Sequence, residues 1–326
     1  MSNEVGALKL DLPVVLAPMA GVTDAPFRAA VQSYASVLVY SEMVASAELL
    51  RDRRTAVLRL KSEGGQALAV QLAGREPAAL AEAARIAEGE GAQLIDINMG
   101  CPAKKVVGGL CGSALLREPE LAVALVRAVV NAVGVPVTVK MRTGWDEHSR
   151  NAAELAQSFE AEGVRMIALH GRTRCQFFEG RGDWQFIGEV KASVSIPVLA
   201  NGDVTTTDDA VAILATSGAD GVMIGRGAFG RPWFIAQVAA KLSAREVPAD
   251  PPVAQRWQVA LEQYQATLSH YGVAQGRRVI RKHLGWYAER AGRLDIRREL
   301  VQSPDPEPLL TALAAGDGAS LTAMAA

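Results

Sequence analysis

Eight short apolar runs, separated by helix-forming stretches, constrain the fold of this chain more than any other feature of its sequence. Several are rich in Val and Ile and nearly uninterrupted, which is typical of strands in a parallel sheet covered on both faces. The runs are "PVVLAPMAG", "SVLVYSEMV", "ALAVQLAG", "AQLIDINMG", "VPVTVKMRTG", "VRMIALHGRT", "IPVLANGDV" and "GVMIGRGAF". Eight strand–helix repeats over roughly 240 residues predict a closed (β/α)8 barrel, or TIM barrel, and favour it over an open doubly wound sheet.

The stretches between these runs are amphipathic and rich in Ala, as expected of helices that cover a barrel. Two clear examples are "EPAALAEAARIAEGEG" and "TTDDAVAILATSG". The second begins with Thr207-Asp208-Asp209, a helix-start signal, and ends at Gly218, a helix-stop signal. Its boundaries are therefore predicted from local chemistry alone.

The pattern changes after Lys241, where the proline-rich segment "REVPADPPVAQ" reads as a linker. Beyond it the sequence predicts helices only, in "WQVALEQYQATLSHYG" and "QGRRVIRKHLGWYAERAG". The last stretch, "AAGDGASLTAMAA", has small and polar residues typical of a disordered tail. We therefore expect a barrel domain at residues 1–243, a small all-helical domain at 244–312 and a disordered tail at 313–326.

Composition excludes several classes of protein. The net charge is −1, so a nucleic-acid surface would have to be local. The three cysteines show no metal-ligand spacing, which predicts a reduced intracellular protein without a metal. The N-terminus lacks a signal-peptide pattern, and polar residues interrupt the most apolar stretch, Leu121 to Val139. We expect a soluble, cytoplasmic protein that does not bind a membrane.

Nearly every predicted strand ends in a polar or reactive residue, at the end of a barrel where enzymes build their sites. The residues at the strand ends, polar and apolar together, are Ala17, Pro18 and Met19; Glu42 and Met43; Gln71; Asn98 and Cys101; Lys140; His170; Asn201, Gly202 and Asp203; and Gly225 and Arg226. Alternation in "VPVTVKM" places Lys140 opposite the valine face, so it points into the barrel mouth or extends to its rim. Because unpartnered buried polar groups are costly, the pattern indicates a polar ligand in the mouth. His170, as a lone histidine, is more typical of a packed core or rim residue than of a catalytic one.

The segment "GRGAFG", Gly225 to Gly230, matches a dinucleotide-binding fingerprint. That interpretation needs a second strand ending in an acid, and the acid at the right distance, Glu246, lies beside the proline-rich linker. A phosphate cradle after the eighth strand, with Arg226 beside it, fits a barrel better. Asn201 to Asp203 lie next to this position and would supply backbone contacts to a sugar or phosphate.

Cys101 lies in a turn stiffened by Pro102, at the end of a buried strand. It is either a packed small side chain, the usual environment of a free cysteine, or a chemical group at the barrel mouth. A thiol is mostly protonated at neutral pH, so it can act as a general acid as well as a nucleophile. The sequence leaves these alternatives open.

Positive charge is concentrated in the helical region. Residues 272–299 hold eight basic and three acidic side chains. Arg277 with Arg281, and Arg278 with Lys282, are four residues apart and so share a helix face. Such a face is either a solvated helix surface or a site for nucleic-acid phosphates. Arg172 and Arg174, beside His170, could add phosphate contacts at the barrel rim.

Taken together, several long segments resemble the signature sequences of the tRNA-dihydrouridine synthases, in the family's order. They are "APMAGVTDAPFR", "INMGCPAKKV", "VTVKMRTGW", "ALHGRTR", "ANGDV", "GVMIGRGAFGRPW" and, in the helical region, "IRKHLGWY". The segment "KKVVGGLCGSALL" is most similar to the B subgroup, although Gly108 and Gly109 stand where many members have a basic pair.

The resemblance implies a cytoplasmic enzyme in which NADPH or NADH reduces FMN, hydride passes to C6 of a tRNA uridine, and Cys101 protonates C5. It implies FMN contacts from Ala17, Pro18, Met19, Gln71, Lys140, His170, Asn201, Gly202, Asp203, Gly225 and Arg226. It implies a contact from Asn98 to the uracil edge. Because folded RNA must be held by positive charge, the expected tRNA contacts are the basic side chains Arg174, Arg277, Arg278, Arg281 and Lys282. No metal or obligate protein partner is expected.

Two other functions compete with this one. A barrel flavoenzyme could act on a free pyrimidine-type small molecule, but it would have no need of a basic helical region. An RNA-binding protein could use an inactive barrel as a scaffold, but it would have no reason to combine Cys101, Lys140 and Arg226.

Overall fold

The computed structural model describes residues 4–5, 8–9, 13–60 and 68–316. Its strands are β1 (Glu4–Val5), β2 (Leu8–Lys9), β3 (Val14–Leu16), β4 (Val39–Tyr40), β5 (Val44–Ala45), β6 (Leu68–Ala73), β7 (Leu94–Met99), β8 (Val137–Arg142), β9 (Met166–His170), β10 (Val198–Asn201) and β11 (Gly221–Ile224). Its helices in the first part are α1 (Ala25–Gln32), α2 (Ser46–Arg51), α3 (Arg53–Leu60), α4 (Pro77–Gly89), α5 (Lys104–Gly108), α6 (Pro119–Val130), α7 (Ala152–Ala161), α8 (Trp184–Ser193), α9 (Thr207–Ser217) and α10 (Phe234–Leu242). The last helices are α11 (Val253–Tyr271), α12 (Val273–Arg290), α13 (Leu294–Gln302) and α14 (Glu307–Ala314). Short 3₁₀ segments lie at Gly112–Arg117 and Arg226–Ala228.

Eight parallel strands close into a barrel, which confirms the predicted fold class. Strands β6 to β11 pair in chain order, β11 pairs with β3, β3 with β4, and β4 with β6, which closes the ring. Each of the eight apolar runs supplies one of these strands. The short strand β5 adds a parallel edge to β6, and β1 pairs with β2 in an antiparallel ribbon.

The alternation of side chains along β8 shows how the two faces of the barrel wall differ. Val137, Val139 and Met141 lie in the hydrophobic layer between strands and outer helices. Thr138 is buried on the opposite face, and Lys140 lines the cavity at the barrel mouth. The predicted inward direction of Lys140 is therefore confirmed.

Local helix signals operate as the sequence predicts in α9. The Thr206 side chain accepts a hydrogen bond from the Asp209 backbone N–H, and the Asp209 carboxylate accepts one from the Thr206 backbone N–H. The helix ends at Gly218, whose φ of 61° lies in the left-handed region that favours glycine.

The described residues after the proline-rich segment form helices only, as the sequence predicts, and these helices enclose a second hydrophobic core. It is built around Trp257, Tyr264, Leu284 and Leu310, and it includes Trp233 from the end of the barrel. Helix α11 also packs on α1 of the barrel. Helix α14 includes the first two residues of the predicted tail, 313 and 314, and residues 317–326 lie outside the described residues.

Candidate active site

A cavity of about 620 Å³ lies at the carboxyl ends of the barrel strands. It is lined by every residue that the sequence led us to expect in contact with the cofactor or with the reacting base. These residues are Ala17, Pro18, Met19, Gln71, Asn98, Cys101, Lys140, His170, Asn201, Gly202, Asp203, Gly225 and Arg226. The cavity also has a large apolar lining, which suits a flat ring system with polar edges.

The turn that carries Cys101 is held on two sides. The Asn98 side-chain oxygen accepts hydrogen bonds from the backbone N–H groups of Gly100, at 3.2 Å, and Cys101, at 3.0 Å. The Ser113 hydroxyl donates to the Cys101 carbonyl at 2.8 Å. Gly112 makes this contact possible, because its φ is 61° and a Cβ there would lie 2.9 Å from the Cys101 carbonyl oxygen. The half-buried thiol is therefore presented at the cavity wall by a rigid turn.

A fully buried carboxylate orients the amides below this turn. Asp96 accepts hydrogen bonds from the Gln71 side-chain amide and the Thr138 hydroxyl, both at 2.7 Å. The Gln71 side-chain oxygen then accepts from the Asn98 amide, also at 2.7 Å. Burial raises the pKa of Asp96 to about 6, against the opposing effect of these hydrogen bonds. The sequence analysis missed Asp96, although an acid within the apolar run of β7 was the available signal.

Lys140 is anchored across the barrel. Its ammonium donates to the Asn201 side-chain oxygen at 3.1 Å, and the Asn201 amide donates to the Met223 carbonyl at 2.8 Å. Burial, followed by the nearby Arg142, lowers the pKa of Lys140 to about 8, while Asp96 acts in the opposite direction. At neutral pH the side chain still carries its proton and can donate to a ligand.

His170 is buried at the end of β9 and lines the same cavity. Burial, followed by the charges of Lys140 and Arg142, lowers the pKa of His170 well below its usual value. The imidazole is therefore neutral. Its Nδ1 atom is buried without a hydrogen-bond partner among the described residues.

Arg172 is buried and supports Asp203, whereas a phosphate contact at the barrel rim was expected from the sequence. It is 2% exposed, and it donates to both carboxylate oxygens of Asp203, at 2.8 and 2.7 Å. Asp203 also accepts from the Gly182 backbone N–H at 2.7 Å. Both carboxylate oxygens of Asp203 are thus already hydrogen-bonded within the protein. Arg174 is half-buried over the rings of Trp145 and Phe177 and does not line the cavity.

The cavity residues that were not predicted from the sequence include two arginines and two phenylalanines: Arg142, Phe178, Phe229 and Arg290. Arg142 ends β8 and donates to the Gly100 carbonyl at 2.9 Å, so it also supports the Cys101 turn. Its position at a strand end was a usable signal. Arg290 comes from the last turn of α12 and donates to the Phe229 carbonyl at 3.3 Å. No local pattern predicts that contact.

The four basic residues predicted on α12 have different environments. Arg277 donates to the Tyr264 hydroxyl at 3.3 Å and pairs with Asp305 at 3.1 Å, inside the helical region. Arg278 and Arg281 are exposed, and neither has an ion-pair partner among the residues that the structure describes. Lys282 is half-buried beside Gly21 of the barrel, where a Cβ would lie 2.7 Å from its nitrogen.

Among the residues that the structure describes, no three His, Cys, Asp or Glu side chains converge to form a metal site. None of the helices described is long and apolar enough to cross a bilayer.

A closed parallel barrel with reactive and basic side chains at the carboxyl ends of its strands defines a (β/α)8-barrel enzyme. The model of the dihydrouridine synthase family (Dus) matches residues 15–317, so this chain belongs to that family of oxidoreductases. The resemblance inferred from the sequence motifs is confirmed.

The relatives extend over nearly the whole chain. A probable tRNA-dihydrouridine synthase of Rhodobacter capsulatus is 52% identical over 312 residues, which is 95% of this chain and 96% of that protein. The tRNA-dihydrouridine synthase B of Xanthomonas axonopodis pv. citri is 46% identical over 287 residues, 88% of this chain and 86% of the relative. That of Pseudomonas putida is 44% identical over 295 residues, 90% and 88% of the two chains.

Solved structures share the fold. The 6-hydroxypseudooxynicotine amine oxidase of Pseudomonas geniculata N1 has a TM-score of 0.57 at 15% identity, over 74% of this chain and 49% of that one. Histamine dehydrogenase from Rhizobium sp. 4-9 has a TM-score of 0.57 at 11% identity, over 80% of this chain and 50% of that one. This chain therefore spans about half the length of either structure.

Proposed function

We propose that this protein reduces specific uridines of tRNA to 5,6-dihydrouridine, with FMN as its cofactor and NADPH or NADH as the source of electrons. One observation carries the proposal: the thiol of Cys101 and the residues expected to hold FMN line a single cavity at the barrel mouth. The names of the relatives, tRNA-dihydrouridine synthases, support the same reaction.

The chemistry of the cavity fits a flavin. The ammonium of Lys140 and the neutral imidazole of His170 line the cavity and offer polar partners for the edge of a ring. Gly225 and Arg226 offer a backbone bend and a positive charge for a phosphate. Ala17 to Met19 would pack against the ring. When bound, reduced FMN would supply the hydride for C6.

Cys101 would then complete the reduction as a general acid. Its thiol proton would go to C5, so that one hydride and one proton saturate the C5–C6 double bond of uracil. The thiolate left behind would recover a proton from solvent before the next turnover. Asn98 keeps one amide hydrogen beyond its bond to Gln71, and that hydrogen would donate to the uracil edge.

The helical region would hold the folded RNA while a base leaves its stack and enters the cavity. Arg278, Arg281 and Lys282 are the candidates for phosphate contacts, with Arg174 at the barrel rim. Arg277 would act indirectly, because its guanidinium is bonded to Tyr264 and Asp305. We accordingly assign the redox chemistry to residues 1–243 and RNA binding to residues 244–312. A tRNA substrate also supports a cytoplasmic location.

The test is to incubate the purified protein with unmodified tRNA and NADPH or NADH, and to map dihydrouridine by mass spectrometry. We expect the protein to release FMN on denaturation and to add two hydrogens at defined uridines. The Cys101→Ala variant should keep the flavin and lose about 10²–10⁴-fold in rate, the usual contribution of a general acid.

The matched control is Cys175→Ala, which removes an exposed thiol and should leave the rate unchanged. Full activity of the Cys101→Ala variant would exclude the proposed acid. Equal turnover of free uridine monophosphate and tRNA would instead favour an enzyme of free pyrimidines.

A further inference from the structure

Phe178 presents an exposed aromatic ring at the mouth of the cavity. Its side chain is 53% exposed, although it lines the same cavity as Cys101 and Lys140. A single exposed apolar residue is common on protein surfaces and by itself indicates nothing. The way in which the backbone around Phe178 is held distinguishes this residue from other exposed apolar residues.

Two buried guanidinium groups fix the main chain on both sides of Phe178. Arg142 donates to the carbonyl of Phe177 at 2.8 Å, directly before it. Arg172 donates to the carbonyls of Glu179, at 3.0 Å, and Gly180, at 2.6 Å, directly after it. Both arginines are nearly fully buried, and the three bonds are partly buried. The backbone that carries the exposed ring is therefore held in one place.

The same segment keeps a backbone conformation that an aromatic residue rarely adopts. Phe177 has a φ of 51°, in the left-handed region that favours glycine. Such a conformation persists only where the surrounding structure enforces it, and strain of this kind concentrates at functional sites. Here the guanidinium of Arg142 enforces it through the Phe177 carbonyl.

The groups around the ring match the chemistry of a nucleotide. The guanidinium carbons of Arg226 and Arg142 lie over the Phe178 ring, 4.9 and 5.5 Å from its centroid. Arg142 already donates to backbone carbonyls, so it contributes charge and support at this position and no phosphate contact. An exposed aromatic ring at a positively charged cavity mouth can bind an unpaired nucleotide by stacking on its base.

We propose that Phe178 is a substrate-binding residue, which stacks on the nucleobase that leaves the tRNA and enters the cavity. This proposal rests on the proposed function, and it adds a specific contact for the displaced base. Stacking of one base on an aromatic side chain corresponds to about a 5- to 150-fold effect on alanine substitution.

The experiment compares Phe178→Ala, Phe178→Leu and Phe178→Tyr in the FMN-loaded protein, with two separate measurements. The first is equilibrium binding of unmodified tRNA without reductant, together with kcat/KM for dihydrouridine formation. The second is the rate at which NADPH reduces the flavin without tRNA. We expect the Ala and Leu variants to lose about 5- to 150-fold in tRNA affinity and kcat/KM, with flavin reduction unchanged, and the Tyr variant to retain both.

Val211→Ala is the matched control, since it truncates an exposed apolar side chain on the outer helix α9. Unchanged tRNA affinity in Phe178→Ala would overturn the proposal. So would an equal loss in the rate of flavin reduction, because that would place the ring against the nicotinamide. Binding is measured without turnover, so a wild-type protein that binds tRNA and forms no dihydrouridine would refute the proposed function separately.

Discussion

Asp96 controls the direction of two amides above it because an ionised carboxylate can only accept hydrogen bonds. Gln71 must turn its amide N–H towards Asp96, at 2.7 Å, which leaves its oxygen to accept from Asn98. Asn98 then has its own oxygen free for the N–H groups of Gly100 and Cys101. The placement of the thiol thus depends on a residue that does not line the cavity.

The Asp96→Asn substitution tests this chain of hydrogen bonds. An asparagine can present an N–H to Gln71, so the amide loses its fixed direction and the Cys101 turn loosens. We expect iodoacetamide to alkylate Cys101 about fivefold faster, the factor for one net hydrogen bond of about 1 kcal/mol.

Peptide mass spectrometry measures that rate, with Cys175 of the same molecule as an internal control. Identical Cys101 rates in the wild type and the variant would show that Asp96 has no influence on the turn.

His283 is a buried histidine whose environment opposes its charge. Its ring lies 5.1 Å from those of Phe27 and Trp286, and neither ring nitrogen has a hydrogen-bond partner in the described part of the chain. Burial, assisted by the charge of Lys282, lowers the pKa of His283 to about 3. The unfolded chain gains this proton near pH 6.5, so stability is lost as pH falls below that value.

We therefore predict that His283→Gln is less sensitive to acid than the wild type. Between pH 7 and pH 5 the wild type should lose about 2 kcal/mol more in free energy of unfolding, because each pKa unit corresponds to about 1.4 kcal/mol. Urea unfolding at both pH values measures this difference, and other titrating groups cancel between the two proteins. Parallel pH profiles would contradict it.

At the scale of elements, helix α12 docks on the segment that follows β11. Phe229 stacks on Trp286 with ring centroids 3.9 Å apart, and Gly230 passes directly under the backbone of α12. A Cβ on Gly230 would lie 2.4 Å from the Trp286 carbonyl oxygen. Because the same segment carries Arg226 into the cavity, the helical region and the active site share one support.

Replacement of Gly230 by Ala should separate these two elements. The residue has a φ of 66°, so Ala there costs about 1–2 kcal/mol from its backbone alone, and the contact with α12 adds to that loss. Gly218→Ala is the matched control, because Gly218 has a φ of 61° with nothing within 4 Å of its added Cβ. Chemical denaturation should show a larger loss for Gly230→Ala, and equal losses would refute a role in docking.

At the scale of the whole molecule, a nearly neutral protein carries a local basic surface. The net charge is −1, yet Arg278 and Arg281 on α12 are exposed. Such a surface attracts RNA through the release of counterions, and its strength falls with salt. Binding of tRNA should therefore depend on a few side chains rather than on overall charge.

The double variant Arg278→Ala, Arg281→Ala should bind tRNA more weakly, and its salt dependence should be shallower by about 2 in slope, roughly 1 per phosphate contact. Filter binding at several salt concentrations measures both quantities. Arg165→Ala is the control, since this exposed residue precedes β9 at the opposite end of the barrel. An unaltered slope would exclude both side chains from the RNA interface.

The sequence alone was sufficient to predict the barrel, the all-helical region and the residues at the strand ends. Apolar runs mark strands because burial on both faces of a sheet requires apolar side chains, and parallel strands bring their carboxyl ends together. Alternation within β8 was enough to direct Lys140 inwards, and local capping was enough to bound α9. Each of these inferences depends on residues that are close in the chain.

Only the tertiary structure decided which polar groups are already bonded within the protein. In the folded protein Arg277 pairs with Asp305, and Arg172 pairs with Asp203. Arg290 of α12 reaches the cavity. Two buried arginines hold the backbone on both sides of Phe178. These contacts join residues that lie on different elements, so no periodicity or local spacing encodes them. The sequence thus determined where the chemical groups gather, and the packing of elements determined which of them remain free to meet a substrate.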